Sequence, residues 1–297
     1  ILRDGELKTF IDFGDYKVFE QAGIQTMIYI FEKKKPSKKY EVDYMRINDK
    51  NVLEEKLILE IFGNKAKIEI EPEKLIDKNL TFSSQESGSI FNKIESKKNF
   101  QLTEKEVGQG IVAAPDKYFL ETDIDLYNKN EQEFLKPFFT ASGRYKSGES
   151  ENYLFYISDK NFNDKKIKDY PNIEKHFKQF EEVLNEAKKK YGTPNKPYFY
   201  LHREREEMFF KQGPKIICGV RVIYPSFFYT EEPYYGSRAL NFIKTDRINL
   251  KYLTGILNSK LSFFWLKNKG KQLGDLLQVD KGPLMEIPIY VGNESQQ

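Results

Sequence analysis

One amphipathic stretch constrains the fold of this chain more than any other. After Pro171, the residues Ile173, Phe177, Phe180, Leu184, Ala187 and Tyr191 recur at spacings of 4, 3, 4, 3 and 4, so a helix gathers them on a single stripe. Pro171 suits a first turn, Lys188 to Lys190 complement the negative end of the helix dipole, and Gly192 offers a left-handed stop. A helix with so broad an apolar face needs a larger body to pack on. A second helix is predicted from Asn249 to about Lys267, with Asn249 as its cap and Leu250, Leu253, Leu257, Leu261 and Phe264 as its stripe. Between the two, Tyr198 to Leu201, Lys215 to Val220 and Val222 to Tyr229 read as strands, and residues 276–289 as short strands around Gly282-Pro283.

The N-terminal part is richer in strand signals. Residues 9–14 and 25–32 are β-branched and aromatic, and the second run is almost continuously apolar, as expected of a strand covered on both faces. Two strands cannot supply that cover. The rest of the sheet is therefore expected upstream, in keeping with an opening Ile1-Leu2-Arg3-Asp4 that lacks an initiator Met and a signal-peptide shape. Glu32 to Lys39 reads as a lysine-rich linker. A strand (Tyr40 to Ile47), a helix (Val52 to Phe62) and a strand (Lys67 to Ile70) follow it, and Ser83 to Ser89 is a loop signal. The mixture predicts an α+β fold, with mixed short-strand sheets and two main amphipathic helices.

Composition excludes several classes. Lys+Arg 48 against Asp+Glu 45 gives a net charge of +3, which rules out a uniformly basic coat but not a local patch. Only eight of those 48 cations are arginine, and six of the eight fall between Arg144 and Arg247. No apolar run approaches the ~18 residues of a membrane span. One cysteine and two histidines leave no disulfide framework and no Cys/His metal site.

Catalytic motifs are not found. Gly108-Gln109-Gly110 lacks the third glycine and the helix of a nucleotide loop. Cys218 lies in an apolar strand run and reads as a buried thiol, His176 as a boundary residue, and Glu69, Glu71, Glu73 and Lys74 as a solvated strand end. Tyr198 to Arg221 stands apart. Arg203 and Arg205 among aromatic residues have the donor forks that read guanine or phosphate, while Glu204, Glu206 and Glu207 could equally pair with them as a surface lattice. Lys136 to Gly148 is a Gly-rich loop with cations, which suits either phosphate contact or an ordinary turn. Lys267 to Lys271 suits phosphate or the helix dipole.

Taken in order, these segments resemble the C-terminal part of a type IIG restriction–modification enzyme, and more narrowly its TaqI-like target recognition domain. Ile11-Asp12-Phe13-Gly14 and Val18 to Ile28 are similar to the last strands of an adenine methyltransferase domain. Gln109 to Val112 and on to Phe119 is like the opening of the recognition domain. Glu133 to Phe139 with Arg144-Tyr145, Tyr170-Pro171 and its helix, Leu201 to Arg205, Pro214 to Ile217, Leu253 to Leu261 and Ile287-Pro288-Ile289 follow in the family's order. Aromatic Tyr198 to Tyr200 stand where relatives often carry a tryptophan.

The resemblance implies three parts: 1–35 as the end of a methyltransferase domain, 36–79 as a connecting α/β segment, and 80–297 as the DNA target recognition domain. It implies double-stranded DNA as partner, a cytoplasmic setting without a membrane, and no catalytic residue, metal or cofactor in this chain. S-adenosylmethionine and Mg2+ would serve upstream methyltransferase and nuclease domains of the same polypeptide, which would methylate adenine N6 and cleave DNA. The DNA-binding residues expected are Arg144, Lys146, His202, Arg203, Arg205, Lys215, Arg221, Arg238, Lys269, Lys271 and Lys281. The alternative is a non-catalytic α+β module that binds protein or glycan through its aromatic surface.

Overall fold

A computed structural model describes residues 2–293 apart from 15, 20, 22–25, 48, 77–84, 142–146, 148, 149, 151, 164, 270, 274 and 275. It divides into two units, Ile1–Asn99 with Phe264–Gln278, and Phe100–Phe263 with Val279–Gln297. Both mix helices with small sheets, so the α+β expectation holds.

In the first unit, β1 (Glu6–Asp12), β2 (Met27–Glu32), β3 (Tyr40–Arg46) and β4 (Ala66–Ile70) form a sheet in the order β2-β1-β3-β4. β1 is antiparallel to β2 and parallel to β3, and β4 is antiparallel to β3. Phe13, Met45 and Ile47 pack on Ile61 of α1 (Leu57–Gly63), and Leu7, Val42 and Ile70 form a second cluster. The lysine-rich run is tied down and not free: Glu6, itself buried, lies 2.9 Å from the Lys34 ammonium and accepts from the backbone N–H and hydroxyl of Ser37 at 3.0 and 2.7 Å. Past the short α2 (Pro72–Leu75), α3 (Gln85–Lys97) takes up part of the serine-rich stretch expected as a loop, and Phe91 lies 4.9 Å from the ring of Phe264. β2 corrects an expectation. It is the edge of its sheet, and Met27 to Phe31 are exposed, with Ile30 at 57%.

In the second unit, β5 (Val107–Gln109), β6 (Leu120–Glu121), α4 (Lys129–Gln132), β7 (Leu135–Phe139), β8 (Asn152–Phe155) and α5 (Asp159–Phe162) precede the helical region. After it come β9 (Lys215–Gly219), β10 (Arg221–Val222), β11 (Phe228–Thr230), β12 (Tyr235–Gly236) and β13 (Leu240–Ile243). One sheet has the order β11-β9-β13-β5 and is antiparallel throughout. The other has the order β12-β7-β8-β6, with only the β12–β7 pair parallel. They share a core of rings: Phe155, Phe177, Phe210 and Phe242 are fully buried, and Phe155 and Phe177 meet edge to face with centroids 5.0 Å apart.

The stripe after Pro171 is a pair of helices, α6 (Pro171–Lys178) and α7 (Glu181–Lys190), hinged at Phe180. Phe180 donates to the carbonyl of Phe177 at 3.0 Å, a tighter i→i+3 turn, after which Leu184 donates to Phe180 at 2.9 Å and the helix resumes. Ile173, Phe177, Leu184 and Ala187 stay buried across the hinge, while Phe180 is half-buried and Tyr191, expected in the stripe, is exposed. Gly192, at φ +72°, closes α7: its N–H donates to Lys189 and that of Thr193 to Lys188, the paired bonds of a Schellman stop. Lys188 is buried and does not serve the dipole from the surface; its ammonium donates to the carbonyl of Tyr200.

The second predicted helix is also two, α8 (Leu250–Leu257) and α9 (Lys260–Lys269). Asn249 caps α8 as expected, accepting from Lys251 and Tyr252 at 2.9 and 3.1 Å. Asn258 ends it by bonding the backbone of Phe227 on both sides at 2.8 Å. The face then rotates: Ser262, Trp265 and Leu266 are buried, and Leu261, expected in the stripe, is 51% exposed. β14 (Lys271–Leu273) and β15 (Leu276–Gln278) pair as a hairpin. Gly282-Pro283 lies inside α10 (Lys281–Glu286), because a proline in the first turn displaces no helical hydrogen bond. Tyr198 to Leu201 is a turn and not a strand, closed by Tyr200 N–H on Pro197 at 3.0 Å.

Candidate nucleic-acid interface

Residues 109–113 of the second unit form its frame. Gln109 ends β5 opposite Asn241. Gly110 donates to Leu240 at 3.0 Å and Ile111 to Gly236 at 2.8 Å, while Val112 and Arg203 exchange backbone bonds of 3.0 and 2.9 Å. Ile111 and Ala113 are buried in the core. A rigid strip of backbone is thus held between the Gly236–Ser237 segment on one side and His202–Arg203 on the other. Gly110 permits it: a Cβ there would stand 1.9 Å from the carbonyl oxygen of Ser237.

The arginines hang on this frame. Leu240 pairs with Gly219, and Val220 donates to Ala239 at 2.8 Å. Arg221 opens β10 just past that pairing, and Arg238 lies in the turn that Leu240 closes by donating to Ser237 at 3.0 Å. Arg203, Arg221 and Arg238 are exposed, and among the described residues none of them has an acidic partner. The glutamates interleaved with Arg203 and Arg205 are engaged elsewhere: Glu204 with Lys196 at 3.2 Å, Glu206 with Lys160 at 2.7 Å, and Glu207 accepts from the Tyr235 hydroxyl at 2.7 Å. The arginine–glutamate lattice is not what forms.

Arg205 is different. Its backbone adopts φ +65°, a left-handed conformation that costs a residue with a Cβ about 1–3 kcal/mol. Its guanidinium donates to neutral oxygens only, the Gly110 carbonyl at 3.4 Å and Gln109 Oε1 at 3.0 Å. His202 is half-buried, with its ring 5.4 Å from that of Tyr191 and its Nδ1 buried without a hydrogen-bond partner. Burial, then the nearby Arg203 and Lys188, holds its pKa below the usual histidine range, so at neutral pH it brings no charge of its own.

The remaining expected residues do not join this group as described. Lys215 is a correction. It is fully buried, and its ammonium donates to the carbonyls of Gly213 and Glu232 at 2.8 and 2.6 Å, so it ties the start of β9 to a turn and is not available to a phosphate. Lys281 faces Glu104 at 3.5 Å. Arg144 and Lys146 lie outside the described residues. Lys269 and Lys271 end α9 and begin β14, and their side chains lie outside the described part as well. Gln109 was not among the expected binding residues. Its signal was the Gly110 that follows it, which marks a close backbone approach. Cys218 is buried, with its thiol pushed up to about 12 by that burial, and is chemically inert at neutral pH. Among the described residues no three His, Cys, Asp or Glu side chains converge as metal ligands.

Frame and arginines together put exposed guanidinium groups, unpaired among the described residues, on an α+β unit. Residues 143–289 match the family model of the TaqI-like C-terminal specificity domain. The chain is 25% identical over 319 residues to the type II methyltransferase M.HindII of Haemophilus influenzae (strain ATCC 51907 / DSM 11121 / KW20 / Rd), covering 97% of this chain and 59% of the relative. It is 29% identical over 187 residues to the type II methyltransferase M.HincII of Haemophilus influenzae, covering 58% of this chain and 36% of that one. It thus spans less than two thirds of the curated relatives it matches. The type IIL restriction–modification enzyme MmeI, solved in complex with DNA, shares its fold with a TM-score of 0.55 at 13% identity, over 98% of this chain and 36% of MmeI.

Proposed function

We propose that this chain is the DNA target recognition part of a restriction–modification enzyme, selecting the site at which the rest of that enzyme methylates adenine N6 and cleaves DNA. One observation carries the reading. Arg203, Arg221 and Arg238 stand exposed and without an acidic partner among the described residues, in a unit most of which matches the TaqI-like specificity domain model. Guanidinium forks match guanine O6/N7 and phosphate oxygens equally well, so each is assigned to a base edge or a nearby phosphate. Arg144 and Lys146, which lie outside the described residues, are assigned to DNA contact by the resemblance alone, and MmeI, which shares the fold, is described in complex with DNA.

The exposed edge strand β2 supports a second part of the proposal. It is assigned as the place where the remainder of the same polypeptide, with its methyltransferase and nuclease domains, adds cover. S-adenosylmethionine and Mg2+ belong to that remainder. The described residues offer neither a Gly-rich strand-to-helix loop nor a carboxylate cluster to fit them. Among the described residues no helix is long and apolar enough to cross a membrane. With DNA as partner, the cytoplasm is the proposed setting.

The test is fluorescence anisotropy with a mixed-sequence duplex at two salt concentrations. Affinity should fall roughly 3.5-fold per phosphate contact between about 50 and 200 mM salt. Replacing Arg203, Arg221 and Arg238 together with Ala should weaken binding at least tenfold (~1.4 kcal/mol) and flatten the salt dependence. DNA affinity that is absent, or indifferent to salt and to these arginines, would contradict the reading and favour a protein- or glycan-binding module.

A further inference from the structure

Gln109 and Arg205 form a unit that goes beyond general contact with DNA. Resting on the reading above, we propose that Gln109 reads a base edge through its amide N–H groups, and that Arg205 is the positioning residue that fixes Gln109 for it. Arginine can only donate hydrogen bonds. The oxygen of Gln109 must therefore face Nη2 of Arg205, 3.0 Å away, which turns the amide nitrogen and both its protons outward. Gln109 is exposed at the end of β5, and its backbone is held by β13 on one side and by the buried Gly110 that follows. An outward pair of donors on a fixed strand end suits a base that presents an acceptor, such as guanine O6 or N7 or thymine O4.

Arg205 has the rigidity that such positioning needs. Its left-handed backbone is bracketed by anchored neighbours: Arg203 locked to Val112, the Glu204 carbonyl accepting from Tyr156 at 3.2 Å, the Glu204 carboxylate on Lys196, and Glu206 on Lys160. A strained conformation persists only where its surroundings over-determine it, and such residues gather at functional positions. An ordinary surface arginine would gain nothing from that strain. One that must deliver its guanidinium back to residue 109 does, because the glutamine is then ordered before DNA arrives.

The test is selection from a randomised duplex library by the full chain and its variants. Wild type should enrich one motif. Gln109→Ala should lose the preference at one base pair by roughly 5- to 150-fold while leaving the salt slope unchanged. Arg205→Gly adopts the same backbone conformation freely, so the fold is kept while the guanidinium is removed. It should relax the same base pair, and the double variant should be no worse than either single one. Gln109→Glu keeps the link to Arg205 but presents an acceptor, so preference at that pair should move toward a donor such as cytosine N4. An unchanged motif in Gln109→Ala overturns the inference. So does an Arg205→Gly protein that weakens on all sequences alike with a lower salt slope. A wild type that enriches nothing overturns the DNA-reading assignment itself, and this inference with it.

Discussion

Arg247 displays what a structural arginine looks like in this protein. It forks onto Glu106 at 2.7 and 2.5 Å, donates to the carbonyl of Gln101 at 2.8 Å and lies 4.5 Å over the Phe100 ring. Glu106 also caps the turn at Thr103, accepting from its backbone and hydroxyl at 2.7 and 2.8 Å. The guanidinium holds the Glu106 carboxyl down at about 2, against 4.5 for the free group. A carboxylate with a depressed folded pKa stabilises the fold above its unfolded pKa and loses that contribution as pH falls toward the folded one. Stability should therefore drop by about 1–3 kcal/mol between pH ~4.5 and ~2 from this group, the half-exposed partner placing it at the low end. Denaturant melts of wild type and Arg247→Ala across that range check it, and the variant should show a shallower acid limb. Among the described residues Arg203, Arg221 and Arg238 have none of these side-chain bonds, so their removal should leave the melt almost unchanged while DNA affinity falls. Cys218 makes a separate prediction: thiol reagents should label it only on unfolding, because the buried thiol holds its proton up to about 12.

At the scale of elements, local chemistry sets the ends and tertiary partners set the breaks. Asn249→Ala removes a cap that accepts two backbone bonds and should cost about 1 kcal/mol in a urea melt. Gly110→Ala should cost more, about 1–3 kcal/mol, and lower DNA affinity with it, because the added carbon meets the Ser237 carbonyl and must part the strip that carries the arginines. A Gly110→Ala protein with normal stability and binding would show that the frame is not needed. Pro171, Gly192 and Asn249 were legible in the sequence because each acts within its own turn. The hinge at Phe180 and the break at Asn258 were not, since the apolar period runs on through both and the reason for the second is a bond to distant Phe227. Nor could periodicity show that Gly282-Pro283 opens a helix. The arginine question was open for the same reason. Whether Glu204 and Glu206 bind Arg203 and Arg205 or look away depends on Lys196 and Lys160, and Lys160 comes from 46 residues earlier in the chain. Lys215 reads as a surface cation in sequence, yet a strand buried along its whole length carries it inward.

At the scale of the whole molecule, a net charge of +3 says little about partners, because most of the cations are lysines balanced by carboxylates. What matters is which cations the fold leaves without one. Among the described residues of the second unit, Arg203, Arg221 and Arg238 are such cations, and Arg203 is bonded to the backbone strip at Val112. The first unit has an apolar edge strand instead of a charged one, as suits a sheet that is continued by more polypeptide. Under the proposed function, the second unit chooses the DNA sequence for the enzyme that contains it. The most direct measurement exchanges residues 100–293 for the matching part of a relative within the whole enzyme and maps the methylated sites in DNA. The modified sequence should change to that of the donor. A modified sequence that stays with the original enzyme would contradict the account.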